Sequence, residues 1–270
     1  MLNEVQKLIR NTYTVPEKYL YSKGILTTKR LSLPNFLCIG AQKAGTTWLF
    51  RNLFQHPEVY LPTRFLPHFD THYFDKEFSR SLKWYASLFR EGGNKAKGEN
   101  CPAYGVMQLE RIRFVQKILP HIKLILLLRN PIERAWSHAL MALVLNTNRR
   151  YADVPEQEFY AHFRSERSRK RGNYPHILDN WLSTYPREQL QISFFEDLKQ
   201  RPQELLKDVF QHIGVTQDVD WEIFPYEKEI NKGAGIPMPA KYRTFLKEMY
   251  YKTICVLFER YGYPISEWLD

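Results

Sequence analysis

The feature that most constrains this chain is a loop with two glycines between a predicted strand and a predicted helix. The segment NFLCIGAQKAGTTWLF begins with a short apolar run typical of a buried strand and continues with apolar residues at helical spacing. Gly40 and Gly45 stand five residues apart, as in the phosphate-binding loop Gly-x4-Gly-Lys-Ser/Thr. A strand, a tight turn and a helix N-terminus together favour the binding of an anionic group.

The loop departs from that of nucleoside triphosphatases in the place of its lysine. Position 46 is a threonine, and Lys43 lies inside the loop instead. Thr46 and Thr47 add hydroxyl donors beside the helix N-terminus. The next strongly apolar strand, KLILLL, is followed by Arg129 where a triphosphatase has an aspartate that helps to hold magnesium. We therefore expect a nucleotide with two separate anionic ends and no metal ion.

The rest of the chain alternates predicted strands with predicted helices. This order indicates parallel βαβ units and predicts an α/β protein, with a three-layer α/β/α P-loop-like fold around a central parallel sheet. We assign residues 1–270 to a single domain in which residues 1–33 form an N-terminal arm. Residues 58–105 are rich in aromatic side chains. Within this region HPEVYLPTRFLPHFDTHYFDKEF is predicted to form a loop with a short strand or turn, and SLKWYASLF a helix.

The charge of the chain indicates an anionic partner. Its 39 lysines and arginines exceed its 29 acidic residues and give a formal net charge of +10. A nucleic-acid-binding module would want basic residues along one face with stacking aromatics, and a doubly phosphorylated nucleotide explains the charge better, so we expect no nucleic acid partner. The run RSERSRKR, Arg164 to Arg171, is either a solvated face or a rim that attracts an anionic acceptor.

The cysteines and apolar runs bear on the compartment. Cys38, Cys101 and Cys255 are far apart and show no metal-binding spacing. The longest apolar run, Ala139 to Leu145, is too short to span a bilayer, and the N-terminus lacks the pattern of a signal peptide. We therefore expect a cytoplasmic protein without a membrane span.

Three motifs resemble those of the sulfotransferases that use 3'-phosphoadenosine 5'-phosphosulfate (PAPS). AQKAGTTWL, Ala41 to Leu49, resembles the family's 5'-phosphosulfate loop. LLLRNPIERAWSHAL, Leu126 to Leu140, resembles its 3'-phosphate segment. NKGAGIP, Asn231 to Pro237, is similar to its late Lys-Gly loop. The motifs occur in the family's order, and the resemblance covers most of the chain.

The resemblance implies that this chain takes PAPS as sulfuryl donor and assigns roles to individual residues. Lys43 would bind the 5'-phosphate and the bridging oxygen and stabilise the leaving group. The residues implied to complete the 5' pocket are Gly45, Thr46, Thr47 and Trp48. The residues implied to bind the 3'-phosphate are Arg129, Ser137, Lys232 and Gly233.

Two further segments resemble the carbohydrate branch related to the heparan sulfate enzymes. DTHYFD, Asp70 to Asp75, resembles its Glu-x-His-Phe-Phe-Asp stretch, and GENCPAYG resembles its Glu-Lys-Thr/Ser-Pro-Ala/Ser-Tyr stretch. The glutamate base of that branch aligns with Asp70, and the lysine after the counterpart of Glu99 is Asn100 here. The resemblance implies transfer to a hydroxyl or amine of a carbohydrate or small natural-product acceptor.

The sequence leaves the identity of the base open. Asp70 leads by alignment, His72 is well tuned near neutral pH, and Glu99 is a third candidate, with His68 and His138 behind them. The aromatic residues of the loops either line an acceptor pocket or belong to the core; they are Phe65, Phe69, Tyr73, Phe74 and Tyr104. The alternative function is a P-loop-type nucleotide kinase or hydrolase, which would require ATP and magnesium.

Overall fold

The protein is built around a five-stranded parallel sheet. The computed structural model describes residues 17–63, 70–228, 233–262 and 266–269. The strands lie in the order β2-β3-β1-β4-β5 and all neighbouring pairs are parallel. Their bounds are Phe36–Gly40 for β1, Val59–Tyr60 for β2, Ala96–Asn100 for β3, Lys123–Leu128 for β4 and Leu190–Phe194 for β5.

The two central strands have the most apolar sequences. Every residue of β1 is buried, and in β4 all but Lys123 are. A strand that is apolar at consecutive positions must be covered on both faces, which parallel sheets achieve with helices packed above and below them. Cys38 pairs with Ile125 across this centre, and Leu126 pairs with Ile192 of β5. The prediction of an α/β fold with a central parallel sheet is confirmed.

Strand β3 was not predicted from the sequence. Its sequence AKGEN is polar, yet it pairs with β1 so that Gly98 faces Phe36. A Cβ atom at Gly98 would lie 2.2 Å from the Phe36 ring, so only glycine lets the two strands pack at this point. Its polar sequence gives no strand signal, because the strand is buried by residues that are distant in sequence.

Ten α-helices surround the sheet within the described ranges that follow residue 33. They are α1 Thr46–Leu53, α2 Leu82–Ser87, α3 Leu109–Ile118, α4 Pro131–Leu140, α5 Glu156–Arg164, α6 Glu166–Gly172, α7 Tyr174–Leu182, α8 Phe195–Gln200, α9 Pro202–Ile213 and α10 Ala240–Tyr261. Helix α4 begins with a proline at its first turn and an Asn130 side chain that accepts a hydrogen bond from Ile132 N. It continues into a π-helical turn at Met141–Leu145.

The long last helix closes the core on the side of α4 and α7. Its buried side chains recur every three or four residues, as helical packing requires; they are Tyr242, Leu246, Tyr250, Ile254 and Leu257. An ion pair between Arg243 and Glu133, at 2.7 Å, joins α10 to α4 at the surface. Within the described ranges, no helix combines the length and the apolar character needed to cross a bilayer.

The described part of the N-terminal arm packs on the loop that precedes α2. A short helical segment at residues 17–22 places the ammonium group of Lys18 3.7 Å from the centroid of the Phe78 ring. Burial lowers the pKa of Lys18 to about 8. The arm therefore covers the segment that carries Asp70 and His72.

The carboxyl ends of three adjacent strands meet at one edge of the sheet. There β1 runs into the glycine loop, β4 into Arg129 and β3 into Cys101. Strands β2 and β3 lie on one side of β1, and β4 and β5 lie on the other. The carboxyl end of β1 is therefore a topological switch point. Ligands of open α/β sheets bind at such points.

Candidate active site

Two residues of the glycine loop have positive φ angles. Gly45 has a φ of 93° and precedes α1, and Lys43 has a φ of 73°. A Cβ atom at Gly45 would lie 2.6 Å from Leu198 Cδ1 of α8. Backbone conformation and packing therefore both demand glycine at position 45. The first amides of α1 have no intrahelical acceptor, and they are oriented toward the space over the loop.

Lys43 and Arg129 lie beside each other at this edge. Arg129 Nη1 donates a hydrogen bond of 3.1 Å to the backbone oxygen of Lys43. Burial lowers the pKa of Lys43, and the positive charge of Arg129 lowers it further. Two half-buried cations with no ion pair to a described carboxylate favour an anionic ligand, which would relieve their mutual repulsion.

Arg129 is oriented by contacts on both of its sides. Its guanidinium group lies 4.4 Å from the centroid of the Phe195 ring, and its backbone oxygen accepts a 2.7 Å hydrogen bond from Tyr174 Oη. Burial lowers the pKa of Arg129, but a guanidinium group stays charged at neutral pH. Strand β4, α7 and α8 together fix this cation next to the glycine loop.

The remaining residues of the predicted 5' pocket surround the start of α1. Thr46 is buried and Thr47 is half-buried, so a hydroxyl group and amides border the loop. The Trp48 indole is 3% exposed and donates to the backbone oxygen of Tyr226 at 3.0 Å. Its ring therefore belongs to the core, and its backbone is the part of Trp48 that lies at the loop.

The structure describes three of the four residues predicted to bind the 3'-phosphate, which are Arg129, Ser137 and Gly233. Ser137 is half-buried on α4, about two helical turns after Arg129. The loop before α10 is tied to the same helix, because Trp136 Nε1 donates to the backbone oxygen of Ile236 at 3.0 Å. Gly233 is exposed at the beginning of that loop with a φ of 69°. Lys232 lies outside the described residues.

A cavity of about 260 Å³ is lined by residues of the segment from Asp70 to Trp84. Its lining combines carboxylates, cations and one indole ring; the residues are Asp70, Thr71, His72, Lys76, Glu77, Arg80 and Trp84. The guanidinium group of Arg80 lies 4.3 Å from the centroid of the Trp84 indole. An indole face beside polar groups suits a sugar ring or another small polar acceptor.

Asp70 is the carboxylate best placed to act on a molecule in this cavity. Its side chain is 27% exposed, and Oδ1 is buried with no hydrogen-bond partner among the described residues. Burial raises the pKa of Asp70 to about 7, against opposing effects of His72 and Lys76. The raised proton affinity and the partial exposure at the cavity fit a group that takes a proton near neutral pH.

His72 is held by a carboxylate at one ring nitrogen. Its Nδ1 lies 3.0 Å from both oxygens of Asp75, so Nδ1 carries the hydrogen and Nε2 faces Asp70 and Lys76. Nε2 is 3.9 Å from Asp70 Oδ2 and 3.4 Å from Lys76 Nζ. The backbone of His72 has a φ of 53°, which turns the chain so that these three side chains converge.

Glu99 lies below the cavity and is fully buried. Its Oε1 accepts a 2.8 Å hydrogen bond from Tyr85 Oη, and its Oε2 accepts one from Thr71 Oγ1. Burial raises the pKa of Glu99 to about 7, although the hydroxyl groups around it lower it. A carboxyl group with no exposed atom cannot reach an acceptor in the cavity. Glu99 instead holds the side chain of Thr71, which is next to Asp70 in the chain.

The aromatic residues of this region form the core beneath the site. Tyr73, Phe74 and Tyr104 are all fully buried, and the Tyr73 ring stacks on Tyr85 at 4.3 Å. Of the two interpretations that the sequence allowed for these three residues, the structure shows the core. Phe65, Phe69 and His68 lie outside the described residues.

Two contributors escaped prediction from the sequence. Asp75 was part of a quoted motif, but only the fold shows that it holds His72. Arg171 is one of five basic residues in RSERSRKR, and it is half-buried whereas the other four are exposed. The carboxylate of Asp75 raises the pKa of Arg171, whereas burial lowers it more, to about 10. No signal in the sequence separated Arg171 from the other basic residues of this run.

His72, Asp75 and Cys101 are the described residues whose side-chain ligand atoms could surround a metal ion. Their ligand atoms lie within 4.8 Å of one another. Burial raises the pKa of the Cys101 thiol well above its usual range, and the thiolate is the form that binds metals. Nδ1 of His72 is also the atom that both neighbours share. This chemistry fits a hydrogen-bonded group better than a metal site.

The sequence of this chain is similar to those of sulfotransferases. The model of the sulfotransferase domain matches residues 33–230. The chain is 25% identical over 219 residues to bifunctional heparan sulfate N-deacetylase/N-sulfotransferase 1 of Caenorhabditis briggsae, covering 76% of this chain and 25% of that protein. It is 30% identical over 198 residues to heparan sulfate glucosamine 3-O-sulfotransferase 6 of Mus musculus, covering 70% of this chain and 52% of that protein.

A third relative and one solved structure extend this similarity. Membrane-associated sulfotransferase kil1 of Dictyostelium discoideum is 34% identical over 141 residues, which cover 51% of this chain and 28% of that protein. The chain thus spans between about a quarter and a half of the length of these relatives. The crystal structure of a sulfotransferase from Alicyclobacillus acidocaldarius superposes with a TM-score of 0.68 at 24% identity, covering 88% of this chain and 99% of that one.

Proposed function

The chain belongs to the sulfotransferase family, and we propose that it moves a sulfuryl group from PAPS to a hydroxyl or amine of a carbohydrate or small natural-product acceptor. The observation that carries the proposal is the pair of half-buried cations, Lys43 in the glycine loop and Arg129 after β4, where the Arg129 guanidinium group donates a hydrogen bond to the backbone oxygen of Lys43. A donor with phosphate groups at two positions of one nucleotide would satisfy both cations.

The donor site proposed here consists of backbone and side chains at the sheet edge. The amides of the glycine loop, with Thr46 and Thr47, would hold the 5'-phosphate at the N-terminus of α1. Arg129 can grip a 3'-phosphate with two parallel N–H groups, and Ser137 can add a hydroxyl donor from α4. When bound, PAPS supplies the activated sulfuryl group that the acceptor receives.

Lys43 would stabilise the departing phosphate. As the bond between sulfur and the bridging oxygen breaks, the electron pair stays on that oxygen, and its negative charge grows beside the ammonium group. A fixed cation in a half-buried site stabilises such a charge more strongly than water does. The pKa of Lys43 is lowered, so the same group can also hand a proton to the leaving oxygen.

We propose Asp70 as the base that takes the acceptor proton. Its side chain is 27% exposed at the cavity, which distinguishes it from the fully buried Glu99, and its carboxylate is ionised above about pH 7. In this proposal His72 is held by Asp75 and, together with Lys76, orients the carboxylate of Asp70. Glu99 is proposed as a positioning residue, because it is buried and accepts a hydrogen bond from Thr71, the neighbour of Asp70 in the chain.

Thermal stabilisation by nucleotides tests the donor site. Adenosine 3',5'-bisphosphate at about 100 times its Kd should raise the Tm by roughly 5–10 °C, since binding at that excess contributes about 2.7 kcal/mol. Arg129→Gln should lose most of the rise, and the exposed Arg169→Gln should keep it. A rise with ATP and magnesium but none with the bisphosphate would support the alternative kinase or hydrolase.

Transfer itself is tested with a radiolabelled sulfuryl donor. Purified chain is incubated with labelled PAPS and a panel of saccharides and small hydroxylated or aminated compounds, and labelled products are separated from the donor. Transfer to at least one acceptor, lost in Lys43→Met, is the expected result. If the wild type binds the bisphosphate but labels no acceptor class, the donor site stands and the acceptor proposal fails.

A further inference from the structure

A cluster of basic side chains is buried between α4, α5 and α6, apart from the donor and acceptor residues described above. It contains Arg134 and His138 of α4, His162 of α5, and Ser168 and Arg171 of α6. Arg134 and Ser168 are fully buried, and His138 is 1% exposed. Buried arginine is rare unless its donors are paired, so the partners of these groups decide what the cluster does.

The cluster has more donors than acceptors. Nη2 of Arg134 donates to the backbone oxygen of Ser168 at 3.0 Å and to Tyr250 Oη at 3.4 Å. The other buried atoms of the cluster have no hydrogen-bond partner in the described part of the chain; they are Arg134 Nε, Arg134 Nη1, His138 Nε2, Ser168 Oγ and Arg171 Nε. Neither arginine forms an ion pair with a described carboxylate.

The two imidazoles are hydrogen-bonded to each other, and Nε2 of His138 has no partner in the described part of the chain. His162 Nε2 and His138 Nδ1 are 2.9 Å apart, so one of them donates to the other. Burial lowers the pKa of His138 to about 2 and that of His162 to about 4, with the charge of Arg134 adding to both effects. Both rings are therefore neutral. When His162 donates, His138 carries its hydrogen on Nε2, which points it at the cluster.

We propose that this cluster is an internal binding site for a small inorganic anion of halide size, such as chloride. An anion would accept hydrogen bonds from the unpartnered donors of Arg134, His138, Ser168 and Arg171 and would offset the charges of the two arginines. The nearly complete burial of three of these residues favours a monatomic ligand over a bulky one.

The position of the site gives the anion a structural role. Helix α4 carries Ser137 and follows Arg129, and α6 carries Arg171 toward Asp75. Gly172 lets α6 pack closely on α10, because a Cβ atom there would lie 2.6 Å from the Tyr250 ring. An anion among α4, α5 and α6 would therefore join the helix of the donor site to the helix that faces the acceptor loop.

Anion replacement at constant ionic strength tests the site in solution. The Tm of the full chain is measured while sodium gluconate is replaced stepwise by sodium chloride. We expect a saturating rise of about 2–4 °C for each 1 kcal/mol of binding free energy gained. Ser168→Ala removes one donor without adding volume and should raise the chloride midpoint about fivefold.

Arg169→Gln is the control, because Arg169 is exposed on the same helix and its replacement removes a surface charge without touching the cluster. It should leave the chloride midpoint unchanged. Crystals grown with sodium bromide should show an anomalous peak among Arg134, His138 and Ser168. The proposal is overturned if chloride and gluconate give the same Tm, or if Ser168→Ala and Arg169→Gln respond alike and no bromide lies in the cluster.

Discussion

Asp70 has the features of a base whose ionisation limits the reaction at low pH. Burial raises its pKa to about 7, and a base works in its deprotonated form. We therefore expect kcat/KM to fall about tenfold per pH unit below about pH 7 and to level off above it. Asp70→Asn should lower kcat by about 10²- to 10⁴-fold and abolish the acidic limb.

The control for Asp70→Asn is nucleotide binding. The variant should keep the Tm rise with adenosine 3',5'-bisphosphate, because Asp70 lines the cavity and is not one of the residues proposed to hold the nucleotide. His72→Asn should reduce the rate less and retain the acidic limb. If the limb persists in Asp70→Asn and disappears in His72→Asn, the imidazole is the base and our assignment is wrong.

Glu99 should make the protein less stable as the pH rises through the weakly acidic range. Its pKa is raised from 4.5 to about 7 in the folded state, so the folded chain holds a proton that the unfolded chain releases. Its contribution to stability is therefore complete below about pH 4.5, declines up to about pH 7 and is constant above. At about 1.4 kcal/mol per pH unit, the decline amounts to about 3 kcal/mol.

Urea unfolding at several pH values measures this effect. Glu99→Gln cannot titrate, so its free energy of unfolding should change less between pH 4.5 and pH 7 than that of the wild type. Glu188→Gln removes an exposed carboxylate and should leave the wild-type slope in place. Equal slopes for Glu99→Gln and the wild type would contradict the assignment of a buried, proton-holding carboxyl group.

A side chain at Gly45 should destabilise the turn from β1 into α1. Its φ of 93° disfavours alanine, and the new Cβ atom would meet Leu198 Cδ1 at 2.6 Å. We expect Gly45→Ala to lower the free energy of unfolding by about 1–3 kcal/mol or more and to weaken bisphosphate binding. Urea unfolding and a nucleotide titration measure the two effects.

Gly214 separates the effect of backbone conformation from that of packing. It ends α9 with a φ of 77°, and a Cβ atom there would have nothing within 4 Å. Gly214→Ala should therefore lose about 1–2 kcal/mol through backbone strain and bind the bisphosphate normally. Normal binding by Gly45→Ala as well would show that the loop tolerates the side chain.

The whole molecule depends on α10, which closes the core late in the chain. Leu246 is fully buried against the rest of the core, and Phe258 on the same helix is 53% exposed. Leu246→Ala should lower the free energy of unfolding by about 2–5 kcal/mol, whereas Phe258→Ala should change it by about 0.5 kcal/mol or less. Urea midpoints compare them, and similar losses would mean that α10 is not part of the cooperative core.

The strongest elements of the fold could be predicted because their signals are local. Strands β1, β4 and β5 have short apolar or alternating runs, and Pro131 and Gly214 mark the start of α4 and the end of α9. Strand β3 gave no such signal, since AKGEN is polar and becomes a strand through Gly98 beside Phe36. The burial of Glu99 follows from that strand and could not be foreseen without it.

The sequence by itself determined the glycine loop, its internal lysine, the arginine after β4 and the alternation that makes the sheet parallel. These features are short-range, and each is written in residues that are neighbours along the chain. Only the tertiary structure decided that Lys43 touches Arg129, that Asp75 holds His72, and that Arg134 is buried among other cations. Burial and electrostatic coupling depend on residues distant in sequence, and only the folded chain brings these together.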